Sequence, residues 1–261
     1  MAEFVFSPLV NPWFYAVAIP ALFIVGLTKG GLGGLGAVFG VPIMSLVINP
    51  VQAAAIMLPI MIVMDVMGVV SWRAKFHPGI MKSMLPGAIV GVGVGWFFAS
   101  QLSSDWIRIV VAVVALSFLL NEWFGKKVKT AEPREAVNTR AMGALWGTAS
   151  GFTSFVAHAG SPPYQVYTQP MRLDPIYFAS TAICFFAIIN AIKLMPYFAL
   201  GQFDATNLAT SLVLLPVAPV SVLVGVWLAK RISKRIFYAV LNTLLFILSL
   251  QLMWQGVTGI L

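Results

Sequence analysis

The sequence predicts an all-α polytopic membrane protein built as two inverted-topology repeats of about five helical segments each, with broken or re-entrant Gly/Pro-rich helices. Composition is the first reason: of 261 residues, 60% are hydrophobic and 9% charged, against about 25% charged in ordinary soluble domains. Length is the second. Apolar stretches of 17 or more residues recur along almost the whole chain, each able to cross a hydrocarbon core about 30 Å thick. The third is a recurring order of glycine, proline and acidic landmarks in the two halves.

Runs bounded by charge, proline or glycine give ten segments: 12–28, 31–48, 51–72, 82–100, 106–124, 141–158, 160–172, 175–198, 206–229 and 236–256. They are read as helices because a spanning segment must satisfy its own backbone hydrogen bonds, and because they are about twice as long as barrel strands. The N-terminal stretch MAEFVFSPLVNP has no basic n-region and no cleavage signature, so segment 12–28 is expected to be retained as a span. Segments 31–48 and 160–172 are short and rich in Gly or Pro, and fit re-entrant or broken helices. The longest polar stretch, Gly125 to Arg140, has 16 residues, too few for a separate soluble domain. The expected organisation is a first repeat over 1–124, a cytoplasmic linker over 125–140 and a second repeat over 141–261.

Orientation follows from Lys and Arg. Lys126, Lys127, Lys129, Arg134 and Arg140 mark one loop, and Lys230, Arg231, Lys234 and Arg235 mark another; both are expected on the cytoplasmic side. Alternate threading puts the 72–82 loop inside, the Gly201–Asp204 loop outside and both termini in the periplasm of a bacterial-type inner membrane. The net charge of +8 is thus topological and does not point to nucleic acid.

Gly31, Gly40 and Pro42 recur as Gly151, Gly160 and Pro162, a shift of 120. Asn49-Pro50 recurs as Asp174-Pro175, and Asp65 falls opposite Asn190, a shift of 125. Leu85-Pro86 and Gly95 recur as Leu215-Pro216 and Gly225, a shift of 130. An odd number of segments per repeat and the charge rule both invert the second half relative to the first, the arrangement that lets one chain open alternately to either side.

The stretch Gly26 to Pro42 carries seven glycines and Lys29, and its counterpart runs from Gly151 to Gln165. Glycine interrupts a helix, while Pro42, Pro162 and Pro163 suit the first turn of a restarting one. A restart inside the bilayer points free N–H groups and partial positive charge at whatever faces it, so two converging restarts would form an anion pocket. The structural alternative is close helix packing, which Gly30, Gly34 and Gly36 also serve. Lys29 is read either as a buried counter-charge or as a side chain snorkelling to the cytoplasmic face. His158, at the matching break, is a candidate donor or titrating group, with a satisfied structural role as the alternative. Asp65 and Asn190 lie mid-segment, and Lys193, one turn from Asn190, is a candidate partner for Asp65, which would otherwise be a proton carrier. Ser154 and Ser161 can donate to an oxyanion or bond their own helix. Trp13, Trp72, Trp96, Trp123 and Trp254 read as an interfacial belt. The lone Cys184 reads as a small core hydrophobe, so no disulfide or thiolate metal cluster is expected.

The runs GLTKGGLGGLGAVFGVP, GFTSFVAHAGSPPYQ and PIYFASTAICFFAIINAIKLMPYFALGQF resemble the TauE/SafE family of sulfite and organosulfur-anion exporters across nearly the whole chain. Relatives often read His-Ala-Gly-Gly-Pro-Pro where this sequence has Ser161, which adds a donor and a Cβ. The resemblance implies a pocket lined by Lys29, Gly31, Gly33 and Gly34 from one half and Ser154, His158, Gly160 and Ser161 from the other. It implies a transporter of sulfite, a sulfonate or a related small anion; the leading expectation is a secondary exporter driven by protons or the membrane potential, with a homodimer among the expected partners. A passive anion channel is the alternative. The chain carries no Walker loop, and its two histidines, His77 and His158, make no His-Glu-x-x-His helix, so neither an ATP-driven pump nor an intramembrane enzyme is expected, and no cofactor or metal.

Overall fold

The structure is a computed structural model that describes residues 7–31, 35–73, 75–99, 103–124, 140–168, 171, 173, 175–228, 243, 246–247, 249–250 and 253–260. Among these residues every regular element is helical. Helix α1 spans Pro12–Gly31 and carries Pro at its first position, where the missing N–H costs nothing. A 3-10 turn, Leu35–Phe39, leads into the short α2, Gly40–Met44. Helix α3, Pro50–Ser71, starts on Asn49, whose side chain accepts the Val51 N–H at 2.8 Å. Helices α4, Pro78–Ala99, and α5, Ser104–Phe124, complete the first half. The second half runs α6, Arg140–Ala157; α7, Ser161–Thr168; α8, Pro175–Ala199; α9, Ala205–Leu214; and α10, Val217–Leu228, followed by helical residues 253–260.

Four of these are long and apolar enough to cross a membrane: Pro12–Gly30, Pro50–Ser71, Pro78–Phe98 and Tyr177–Ala199. Segment 206–229, read as one run, is instead two helices bent by 41° at Leu215–Pro216. Pro216 and Pro219 remove two N–H groups within one turn, whereas the equivalent Pro86 stands alone and α4 stays continuous. Neither short segment forms a helix of spanning length among the described residues. At about 1.5 Å per residue the eight-residue α7 covers roughly 12 Å, and the 3-10 turn with α2 is similarly brief. The 125–139 linker, the basic 230–235 cluster and most of segment 236–256 lie outside the described residues.

Glycine decides which helices touch. A Cβ on Gly151 of α6 would stand 2.0 Å from the Ala88 carbonyl of α4, and one on Gly87 of α4 2.0 Å from the Ala144 carbonyl of α6. The same contact joins α1 to α10, where a Cβ on Gly225 would meet the Leu27 carbonyl at 2.3 Å and one on Gly30 the Val222 carbonyl at 2.1 Å. Small residues let backbones approach this closely where lipid supplies no hydrophobic drive. The packing role read for Gly30 and Gly36 is therefore realised, Gly36 lying against Thr28. Gly31 ends α1, whereas Gly151 lies six residues before the end of α6.

Between the two glycine-joined pairs, α3 and α8 pack on each other, Gly68 lying against Ile183. Apolar side chains such as Met195 and Phe198 of α8 are more than 70% exposed, as a helix facing lipid requires. Trp13 and Trp254 are equally exposed. Trp72 differs from a simple belt residue, because its indole N–H donates to the Gly30 carbonyl at 3.2 Å and ties the end of α3 to the end of α1. Cys184 is buried in α8, as read.

Candidate functional site

Six polar side chains converge where α1, α3, α6 and α8 meet, each at most 3% exposed: Lys29, Asp65, Ser154, His158, Asn190 and Lys193. Lys29 does not snorkel; it forms a buried ion pair with Asp65. The second carboxylate oxygen of Asp65 accepts from the Asn190 amide at 2.6 Å. That bond orients the amide, since only its NH2 can donate to a carboxylate. Asn190 Oδ1 consequently points away from Asp65, and among the described residues it meets no donor.

Lys193 does not pair directly with Asp65, contrary to the expectation from its one-turn spacing from Asn190. Its Nζ reaches Ser154 O at 2.9 Å, Ser154 Oγ at 3.1 Å and His158 Nδ1 at 2.7 Å. Three acceptors match the three N–H bonds of an ammonium, yet none of them carries a negative charge. Because Ser154 Oγ accepts from Lys193, its own proton is left to donate elsewhere.

His158 closes α6 in the left-handed region, φ 53°, with its N–H on Ser154 O at 3.0 Å. This conformation is uncommon outside glycine and carries strain, the kind retained where surrounding contacts hold it. Those contacts involve both ring nitrogens. Nε2 lies 2.9 Å from the Ala54 carbonyl, which can only accept, so Nε2 holds the hydrogen and Nδ1 offers its lone pair to Lys193. With both nitrogens occupied, His158 orients Lys193 in this arrangement and does not donate to a ligand. Tyr197 covers the imidazole face with ring centroids 6.3 Å apart and donates to Phe155 O at 2.7 Å.

A small cavity opens beside this cluster, lined by Lys29, Asp65, Ser154, His158, Ser161 and Asn190 together with Ala37, Met61, Ile183 and Phe186. Its clear space admits about one water-sized group. Gly160 does not line it. A Cβ there would stand 2.8 Å from Ser150 O and from Ser154 Cβ, so Gly160 allows the break to pack against α6, and its carbonyl accepts from Ser150 Oγ at 2.7 Å. Gly31 sits at the end of α1; Gly33 and Gly34 lie outside the described residues. The restart at α7 reaches the cavity through Ser161, whereas α2 begins against Met57 and Val25, and the first half contributes Ala37 of the 3-10 turn instead.

Sequence reasoning missed Ile183, Phe186 and Met61, and a helical count would have found them. Residues 183, 186, 190 and 193 share one face of α8, and 61 and 65 one face of α3.

The family model for the sulfite exporter TauE/SafE matches residues 18–252. The chain belongs to that family. The match takes in every residue of the buried cluster, from Lys29 to Lys193, so the TauE/SafE assignment and the polar site concern the same stretch of chain. No curated protein and no solved structure gives a match. As a TauE/SafE member with several apolar spans, the chain is a multi-pass membrane protein of a transporter family.

Proposed function

We propose that this protein is a secondary transporter that exports a small sulfur-containing anion, sulfite or a sulfonate, across a bacterial-type inner membrane by alternating access. The observation that carries this reading is Lys193, fully buried and surrounded by acceptors none of which is anionic. A charge of this kind deep in a membrane protein is costly unless a counter-charge arrives, and an anionic substrate is that counter-charge. Lys193 stands behind the cavity wall, held on Ser154 and His158, which line it, and the donors facing the cavity are Lys29 and the Ser154 hydroxyl. Support for alternating access comes from the repeated order of elements and from the crossed packing of α4 on α6 and α1 on α10. In the proposed orientation the basic loops at 125–140 and 229–236 are cytoplasmic and both termini periplasmic. The pair Asp65 and Lys29 is the proposed place for a coupling proton.

Purified protein in proteoliposomes is expected to give saturable sulfite flux and counterflow. Lys193→Met removes it, while Lys193→Arg, which keeps the charge, retains a part. Unsaturable conductance far above carrier turnover, or undiminished flux in Lys193→Met, overturns the reading.

A further inference from the structure

Resting on that reading, the cluster also specifies which ionic form it takes: we infer that the site selects a singly charged oxyanion carrying its own hydrogen-bond donor, and discriminates against dianions. Two independent observations lead there.

The first is charge. Among the described residues Asp65 is the only buried acid, and Lys29 and Lys193 are the only buried lysine or arginine side chains. The geometry of His158 makes it neutral, its Nε2 hydrogen held by Ala54 O and its Nδ1 accepting from Lys193. Two ammoniums and one carboxylate leave a single positive charge. One negative charge from a ligand balances the cluster, whereas a dianion would leave a net negative charge in a region where uncompensated charge is costly.

The second is the orphan acceptor. Asn190 is 1% exposed, lines the cavity, and has its amide N–H committed to Asp65. Its Oδ1 lacks a donor among the described residues, and a buried acceptor left unmade carries a desolvation penalty. A ligand bearing an O–H or N–H satisfies it. A fully deprotonated oxyanion offers only lone pairs there, next to the carboxylate of Asp65. Lys29 and the Ser154 hydroxyl line the same cavity and can donate to a ligand's charged oxygens. The site therefore offers donors for charged oxygens and one acceptor for a hydrogen, as the hydrogen form of sulfite requires.

Three near-isosteric probes separate charge from donor: sulfamate, a monoanion with N–H; methanesulfonate, a monoanion without a donor; and sulfate, a dianion. Titrated calorimetrically into the purified full chain in nanodiscs, sulfamate is expected to bind at least tenfold tighter than methanesulfonate, about one hydrogen bond to a buried acceptor, and sulfate weakest of all. Asn190→Leu should bring sulfamate to the level of methanesulfonate, and Asp65→Asn, which adds a net positive charge, should move the ranking towards sulfate. Sulfate binding as tightly as sulfamate, or sulfamate and methanesulfonate binding alike to the unaltered protein, overturns the inference while leaving the anion site standing. If no probe binds and sulfite is not transported, the transport reading itself fails, and the inference with it. The unaltered protein decides between these outcomes even where a variant does not fold.

Discussion

Replacing Lys29 with methionine removes the cation from a buried ion pair while keeping a flexible side chain of similar length. Asp65, 3% exposed, is left with one partner, the Asn190 amide at 2.6 Å. Breaking a buried pair costs about 3–5 kcal/mol because the surviving charge is uncompensated; the remaining amide bond places this variant near 3 kcal/mol on that scale. At roughly 2–4 °C per kcal/mol for a chain of this size, melting falls by roughly 6–12 °C. The loss of charge also brings the cluster to neutrality, so sulfite no longer raises the melting temperature. Adding Asp65→Asn removes the stranded carboxylate and restores one net positive charge, that of Lys193. The double variant should therefore regain stability to within about 1 kcal/mol of the parent and recover part of its stabilisation by sulfite. Thermal unfolding in detergent with and without sulfite measures both. A double variant as unstable as Lys29→Met alone, or a single variant still stabilised by sulfite, refutes the reasoning.

Gly151→Leu and Gly225→Leu force side chains against the backbone carbonyls of Ala88 and Leu27 and should each destabilise by about 1–3 kcal/mol or more; Gly93→Ala, with open space around it, should be neutral or stabilising by up to about 1 kcal/mol in the same melting assay. Tyr197→Phe leaves the Phe155 carbonyl without its 2.7 Å donor and should cost about 1–3 kcal/mol. Ser154→Ala removes one acceptor of Lys193 and the hydroxyl directed at the cavity; sulfite flux should fall about tenfold, with melting lowered by about 1 kcal/mol.

Much of the fold was legible because lipid imposes a length rule: segments 12–28, 51–72, 82–100 and 175–198 fall on α1, α3, α4 and α8 within a few residues. The bend at Pro216 was less so, since hydropathy does not register a lost N–H, although the paired prolines 216 and 219 carried the signal. The buried members of the site stood out as polar letters in apolar text: Lys29, Asp65, Ser154, His158, Asn190 and Lys193 all reach one cluster. Their partners did not stand out. Lys193 sits one turn from Asn190, but the pairing is set by how α6 approaches α8, a tertiary fact that spacing within one helix does not contain. Likewise, a glycine that spaces two backbones and one that faces a ligand look the same in sequence. Gly160 turned out to be the former.

The two halves are bolted together crosswise, and the polar cluster latches each bolted pair to the centre. Lys29 holds the α1–α10 pair to α3 through Asp65, and Lys193 of α8 holds the α4–α6 pair through Ser154 and His158. The latches stand near the C-terminal ends of α1 and α6 but differ in chemistry. The first is an ion pair that is complete by itself. The second is a cation on neutral acceptors, and in the proposed reading an arriving anion supplies its counter-charge. In the proposed transport cycle, ligand binding therefore acts unequally on the two sides: it strengthens the hold on α6, while an oxyanion drawing on Lys29 competes with Asp65 and loosens the hold on α1. An element must gain or lose contacts differentially for a ligand to shift its position, and this chemical inequality between the two latches supplies that difference.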